Sequence, residues 1–209
     1  MPKVNRPQQA RSQRTMNRIL DAAADLLEEK AWQDLSIQEI VSAANSSVGS
    51  FYARFQDKDG LLQALDDRFF DRLIEQIDAV VADPAWQVLS LAATVQGLAR
   101  LIVAIHSEQK GVQRTLITAA RLTPDPRYRE REDRLWAHTP KLLALILAHE
   151  AEIRREPAGP AAQFALLQMF FTAREMLLWE HVAVNMPLQG EALVTALAEA
   201  CLNYLRGAP

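Results

Sequence analysis

The chain of 209 residues contains one cysteine, Cys201, and only seven glycines. A single thiol excludes an internal disulfide framework and suits a reducing cytoplasm. The scarcity of glycine and the lack of sustained period-two alternation argue against a β protein. No uncharged apolar run reaches the roughly 18 residues that a membrane-spanning helix needs. The N-terminal stretch MPKVNRPQQARSQR is basic but has no apolar core, so no signal peptide is expected. Glycine-rich phosphate loops and the G-x-S-x-G elbow are also missing. His106-x-Glu108, His149-Glu150 and Glu180-His181 lack the i, i+4 histidine pair of a zinc hydrolase helix, and Cys201 has no cysteine nearby. These absences weigh against a helical metal-dependent enzyme. No catalytic residue, metal or cofactor is expected.

What is present is helical. Hydrophobic residues make up 49% of the chain, enough for a sizeable core. Long stretches repeat with a period near 3.6, which predicts an all-α fold. The net charge of −3 is unevenly distributed. Lys3, Arg6, Arg11, Arg14 and Arg18 occupy the first 18 residues, with no acidic residue among them. Residues 1–58 carry eight basic and seven acidic side chains, and the remainder fifteen basic and nineteen acidic. Binding to phosphate needs local positive charge, not a basic whole protein. Alone, the basic arm is also compatible with a solubilising tail.

The most informative window is LSIQEIVSAANSSVGSFYARFQDKDGLL, from Leu35 to Leu62. Ser36 precedes an apolar-periodic run and Glu39 follows three residues later, the pattern of a capping box. Ile37, Ile40, Val41 and Ala44 then mark one buried face. Asn45 tolerates the left-handed conformation that ends a helix. Ser46 or Ser47 can cap the next helix, in which Phe51 and Phe55, four apart, face the core. Two short helices around a tight break, followed by Lys58 at the start of a third, form a helix-turn-helix layout. In such layouts the second helix enters the major groove of DNA. Small side chains permit close approach to base edges, and Tyr52 and Arg54 can reach phosphates. A helical adaptor that binds only protein would need neither the basic arm nor Tyr52 and Lys58 flanking a short polar helix.

The run Ala44-Asn45-Ser46-Ser47-Val48-Gly49-Ser50-Phe51-Tyr52-Ala53-Arg54-Phe55, followed by Asp57-Lys58-Asp59-Gly60-Leu61-Leu62, resembles the DNA-binding signature of the tetracycline-repressor (TetR) family. The preceding helix, Ile19 to Leu27, extends the resemblance to about fifty residues. Asn45 stands where Gly is usual, Ser46 where Val is usual, Ala31 where a turn Gly is usual, and Arg54 where His or Tyr is usual. The resemblance implies about nine helices in two domains. Residues 1–56 would be a three-helix DNA-binding domain with a basic arm, and 57–209 a helical regulatory and dimerisation domain. It also implies a cytoplasmic, ligand-responsive regulator, most simply a repressor that binds a near-palindromic operator in double-stranded DNA as a homodimer. Ser36, Tyr52, Arg54 and Lys58 are then expected at phosphates and Ser47, Val48 and Ser50 at bases. Arg11 and Arg14 are expected along the backbone or in the minor groove.

Beyond Lys58 the punctuation predicts helices to about Val81, then Trp86–His106, Lys110–Leu122, Arg127–Ile153 (kinked or split at Pro140), Ala161–Val184 and Gly190–Leu205. Breaks fall at Asp83-Pro84, at Thr123 to Pro126 and at Glu156 to Pro160. The last two helices are apolar on more than one face, which suits either an internal core or a second subunit. The resemblance implies a two-fold four-helix dimer interface, with Leu197 in its seam. It also implies a small-molecule cavity in the middle helices, where His106, Arg121, Trp136, Gln168, Phe171 and Arg174 lie among apolar residues. His106 is also compatible with a surface or satisfied core histidine, Trp136 with plain core, and Arg174 with an ion pair to Glu175.

Overall fold

The computed structural model describes residues 6–122, 125–179 and 188–207. Ten α-helices and three short 3-10 turns lie among these residues, and no strand. The all-α expectation holds. The helices are α1 (Arg6–Glu29), α2 (Ile37–Ala43), α3 (Val48–Tyr52), α4 (Lys58–Ala82), α5 (Leu91–Ser107), α6 (Lys110–Leu122), α7 (Pro126–Trp136), α8 (Thr139–Leu147), α9 (Ala158–Leu178) and α10 (Gly190–Arg206). They form two compact units, Met1–Phe69 with Gln109–Pro124, and Phe70–Glu108 with Asp125–Pro209.

In the first unit, Ile19, Leu20, Ala23 and Leu27 supply the buried stripe of α1. Helix α2 starts at the expected capping box. The Ser36 hydroxyl accepts from the Glu39 amide at 3.2 Å, and the Ser36 amide donates to the Glu39 carboxylate at 2.9 Å. The same helix ends on Asn45, whose φ of 46° lies in the left-handed region. There the Ser46 amide donates to the Val41 carbonyl (2.8 Å) and the Asn45 amide to the Ser42 carbonyl (3.1 Å). That pair of bonds is a Schellman motif, which satisfies carbonyls that the helix end leaves open. Helix α6 crosses α1 at Gly111, where an added Cβ would sit 1.9 Å from the Leu27 carbonyl oxygen. No residue larger than glycine fits that approach.

The second unit is built around α5, whose Leu91, Val95, Leu98, Ala99 and Ile102 are buried. This helix packs against α9 and α10, which also pack on each other. It begins at Leu91, not at Trp86. Asp83 caps a 3-10 turn over Pro84–Val88, and Ser90 caps α5 through the Ala93 amide at 3.3 Å. The apolar Trp86 belongs to this turn and its ring lies on Gly97 of α5. The expected 127–153 segment is divided into α7 and α8, with Pro140 in the first turn of α8, where its missing N–H costs nothing. Helix α9 starts at Ala158, inside the expected break. Its expected extension to Val184 lies outside the described residues, as do Thr123 and Pro124.

The faces of α9 and α10 are sorted by exposure. In α10, Leu193, Val194, Leu197, Ala198, Cys201 and Leu205 are buried within the unit. Leu197 is therefore a core residue and not part of an outward seam. The outward face of α10 carries Ala192, Thr195, Glu199, Ala200 and Asn203. In α9, Phe164 and Phe171 are exposed at 53% and 38%, and Phe164 lies 5.1 Å from the Tyr204 ring of α10.

Candidate nucleic-acid interface

Helix α3 is only five residues long, too short to be stable by itself, so side chains must position it. Phe51 is fully buried, and its ring lies 5.2 Å from that of the buried Phe55. Ser47, not Ser46, caps the helix by accepting from the Ser50 amide at 3.1 Å. Its hydroxyl also bonds the Ser50 hydroxyl at 3.0 Å. The rest of the helix faces outward, with Ser47, Val48, Gly49 and Tyr52 exposed. Of the residues expected at bases, Ser47, Val48 and Ser50 thus share one short helix. Ser47 and Ser50 brace its first turn.

The residues expected at phosphates differ in how committed they already are. Tyr52 is exposed by 54%, its ring set edge-on to Phe51 at 5.4 Å. Arg11 and Arg14 are exposed on α1, which is helical from Arg6 onward, so the basic segment is largely a continuation of that helix. Ser36 is occupied by its capping box, its hydroxyl also bonding the Glu39 carboxylate at 2.7 Å. The half-buried Lys58 ammonium donates to the Trp32 carbonyl and sits 4.6 Å above the Trp32 ring. Burial there lowers the pKa of Lys58, against the opposing pull of Asp34 and Asp59. The Arg54 guanidinium donates through Nη1 to the Ser50 carbonyl at 2.7 Å and through Nε to the Ser12 carbonyl at 3.2 Å.

Two participants were not singled out from the sequence. Lys30, at the end of α1, donates to Glu39 at 2.6 Å. This bond, with those from Ser36, draws the Glu39 pKa down to about 2. Neutralising Glu39 matters because an unpaired carboxylate on this face would repel a phosphate backbone. Trp32, in a 3-10 turn, is the platform for Lys58. Neither is visible through local spacing, since Lys30 lies nine residues from Glu39 and Lys58 twenty-six from Trp32.

The residues expected at a ligand are brought together only in part. His106 is buried in α5, its ring 4.7 Å from Phe170 of α9. Phe170 lies 5.6 Å from Phe171, and the Arg174 guanidinium sits 4.8 Å over the Phe171 ring while pairing with Glu175 at 2.8 Å. Gln168 is exposed on α9, Trp136 is 41% exposed at the end of α7, and Arg121 is exposed in the last turn of α6. No group of three or more potential metal ligands occurs among the described residues. No helix among them is long and apolar enough to cross a membrane.

A short outward helix braced by a capped partner has the layout of a helix-turn-helix. Residues 19–65 match the family described as bacterial regulatory proteins, tetR family. That match covers the N-terminal module of the chain. The chain is 30% identical over 76 residues to an uncharacterised HTH-type transcriptional regulator, YvdT, of Bacillus subtilis. That match spans 35% of this chain and 39% of the relative's length. A tetR-family regulatory protein from Rhodococcus RHA1 shares the fold at a TM-score of 0.69 and 16% identity, covering 93% of this chain and 98% of the other. AibR, solved with isovaleryl coenzyme A and operator DNA, matches at a TM-score of 0.63 and 18% identity, covering 93% and 100%. A TetR regulator from Haloarcula marismortui matches at 0.66 and 15%, covering 93% and 97%.

Proposed function

We propose that this chain is a non-enzymatic, cytoplasmic transcriptional regulator that binds a near-palindromic operator as a homodimer and is released by a small molecule. The observation that carries the proposal is α3, which turns Ser47, Val48, Gly49 and Tyr52 outward while Phe51 anchors it. Residues 1–56 form the reading head in this proposal, and 57–209 the regulatory body. Ser47, Val48 and Ser50 meet base edges. Tyr52, Lys58 and Ser36 meet phosphates, with Arg11 and Arg14 along the backbone or in the minor groove. Lys58 would exchange the Trp32 carbonyl for phosphate oxygen.

The proposed dimer forms through the outward faces of α9 and α10, where Phe164, Phe171 and Tyr204 stand beside small residues. Each head reads half a site, so the dimer sets their spacing. The solved complex of AibR with an acyl-coenzyme A and operator DNA supports a ligand-responsive reading for a chain of this fold. The His106, Phe170, Phe171 and Arg174 cluster, with Arg121, Trp136 and Gln168 as outlying candidates, is the proposed ligand region. A tenfold loss of operator affinity requires about 1.4 kcal/mol of preferential ligand binding to the DNA-incompetent state.

The test is a salt titration of binding to a duplex selected from random DNA by the wild-type protein. Lys58→Ala weakens binding to all sequences and flattens the salt slope by roughly one unit. Ser50→Ala changes base preference more than total affinity. Failure of the wild type to select any duplex, or an unchanged slope in Lys58→Ala, refutes the proposed docking.

A further inference from the structure

We infer that Arg54 is a positioning residue, a strap that fixes the reading helix α3 against the basic first half of α1. The inference rests on the DNA-binding reading above and sharpens it. Arg54 carries a charge at the edge of the proposed interface, so a phosphate contact is its obvious role. The geometry directs its guanidinium elsewhere. Nη1 donates to the carbonyl of Ser50, a member of α3, and Nε to the carbonyl of Ser12, 42 residues away on α1.

Both acceptors are informative. The side chain of Ser50 is a candidate base reader, and its hydroxyl is already held by Ser47. Binding its carbonyl fixes its backbone as well. Ser12 is flanked on α1 by Arg11 and Arg14, both exposed. One planar group therefore spans the element that reads bases and the element that brings cations to the backbone. Arginine suits this task because its donors lie in a rigid plane, whereas lysine offers a point charge on a flexible stem. Helix α3 is too short to hold its own angle. With the strap in place, Ser50 and the Arg11/Arg14 pair approach DNA in fixed register. Without it, each still binds but not together.

Three measurements on the full-length protein test this. Arg54→Lys keeps the charge and loses the fork. A strap predicts that Arg54→Lys and Arg54→Ala lose similar affinity for the selected duplex, roughly tenfold, whereas wild-type affinity in Arg54→Lys overturns it. A double-mutant cycle then reads the coupling. In an Arg11→Ala/Arg14→Ala background the further loss on Arg54→Ala falls below about twofold, and the full tenfold loss persisting overturns it. Hydrogen exchange needs no DNA, so it separates failure of the strap from failure of the DNA-binding reading. Amides in the first half of α1 exchange several-fold faster in Arg54→Ala, with those around Leu98 in α5 unchanged as an internal control. Unchanged exchange in α1 overturns the inference even if the protein binds DNA as proposed.

Discussion

Helices α3 and α9 both expose a face to solvent, and the two faces differ in the size and aromatic content of their side chains. The outward face of α3 mixes small polar and apolar groups, with Ser47, Val48, Gly49 and one phenol. That of α9 carries Phe164 and Phe171 around Gln168. Small polar groups on a short helix leave the backbone accessible, which suits a surface that must follow the floor of a groove. Exposed aromatics gain by leaving water, which suits a second protein surface. The two faces thus differ in the kind of partner each would suit. The means of support differ as well. The short helices of the first unit are capped at Ser36, Asn45 and Ser47 and anchored by the buried Ile40, Val41 and Phe51. Helices α9 and α10 are held by buried apolar area, and Pro157 and Gln189 provide no side-chain cap at their starts.

The sharpest break in this comparison is a charge on the apolar face. Phe164→Glu places a carboxylate where the side chain is already half exposed, so the subunit should fold. Sedimentation should show dissociation of a dimer that would otherwise bury on the order of 2,000 Å² in total. Loss of the coupled half-site should weaken operator binding by on the order of 100-fold, about 2.8 kcal/mol. Leu197→Glu is the wrong probe, because Leu197 is buried in its own subunit and the substitution attacks folding itself. A Phe164→Glu protein that remains a dimer removes α9 from the interface.

The next prediction concerns close approach. Gly111→Ala drives a methyl into the Leu27 carbonyl in the first unit, whereas at Gly159 in α9 an added Cβ meets nothing within 4 Å. Gly111→Ala should destabilise by about 2 kcal/mol through overpacking. Gly159→Ala should be neutral or slightly stabilising, since alanine is the better helix former by up to about 1 kcal/mol. Equal melting temperatures for the two variants would show that the α1–α6 crossing can relax.

The features legible in the sequence were those written within a few residues. The Ser36/Glu39 box, the left-handed Asn45 and the Phe51/Phe55 pair each follow from spacing along one or two helical turns. Family resemblance then extended the head into an architecture. Interactions joining distant positions were not legible. Glu39 announces a capping box but not Lys30, and nothing local ties Arg54 to Ser12 or makes Gly111 a contact with Leu27. A glycine in the first turn of α6 was the one available hint at Gly111. A helix begun directly after the Asp83-Pro84 break takes in Trp86, whereas Asp83 and Ser90, both caps, bracket a separate turn. In α10 the surplus of apolar residues hid which face was inward, so periodicity placed Leu197 on either side with equal ease.

The smallest expected effect tests whether caps hold the head as buried area holds the body. Ser36→Ala removes the side-chain cap of α2 and should cost about 1 kcal/mol at any pH where the protein folds. Glu39→Gln keeps an oxygen for the Ser36 amide and removes only the charge. The Glu39 pKa falls from 4.5 in the free residue to about 2, through bonds from Lys30 and Ser36. A depressed carboxylate pKa stabilises the folded state fully above the unfolded value. That stabilisation is lost as pH falls through the folded value. Wild type should therefore exceed Glu39→Gln in stability at neutral pH, with the gap closing between about pH 4.5 and 2. The carboxylate and Lys30 are both substantially exposed, at 41% and 44%, so the gap should also shrink in high salt. Urea denaturation of both proteins across that pH range measures it. A gap that persists unchanged at pH 2.5 would mean that Glu39 acts through packing, leaving the Ser36 hydroxyl as the one polar support at the start of α2.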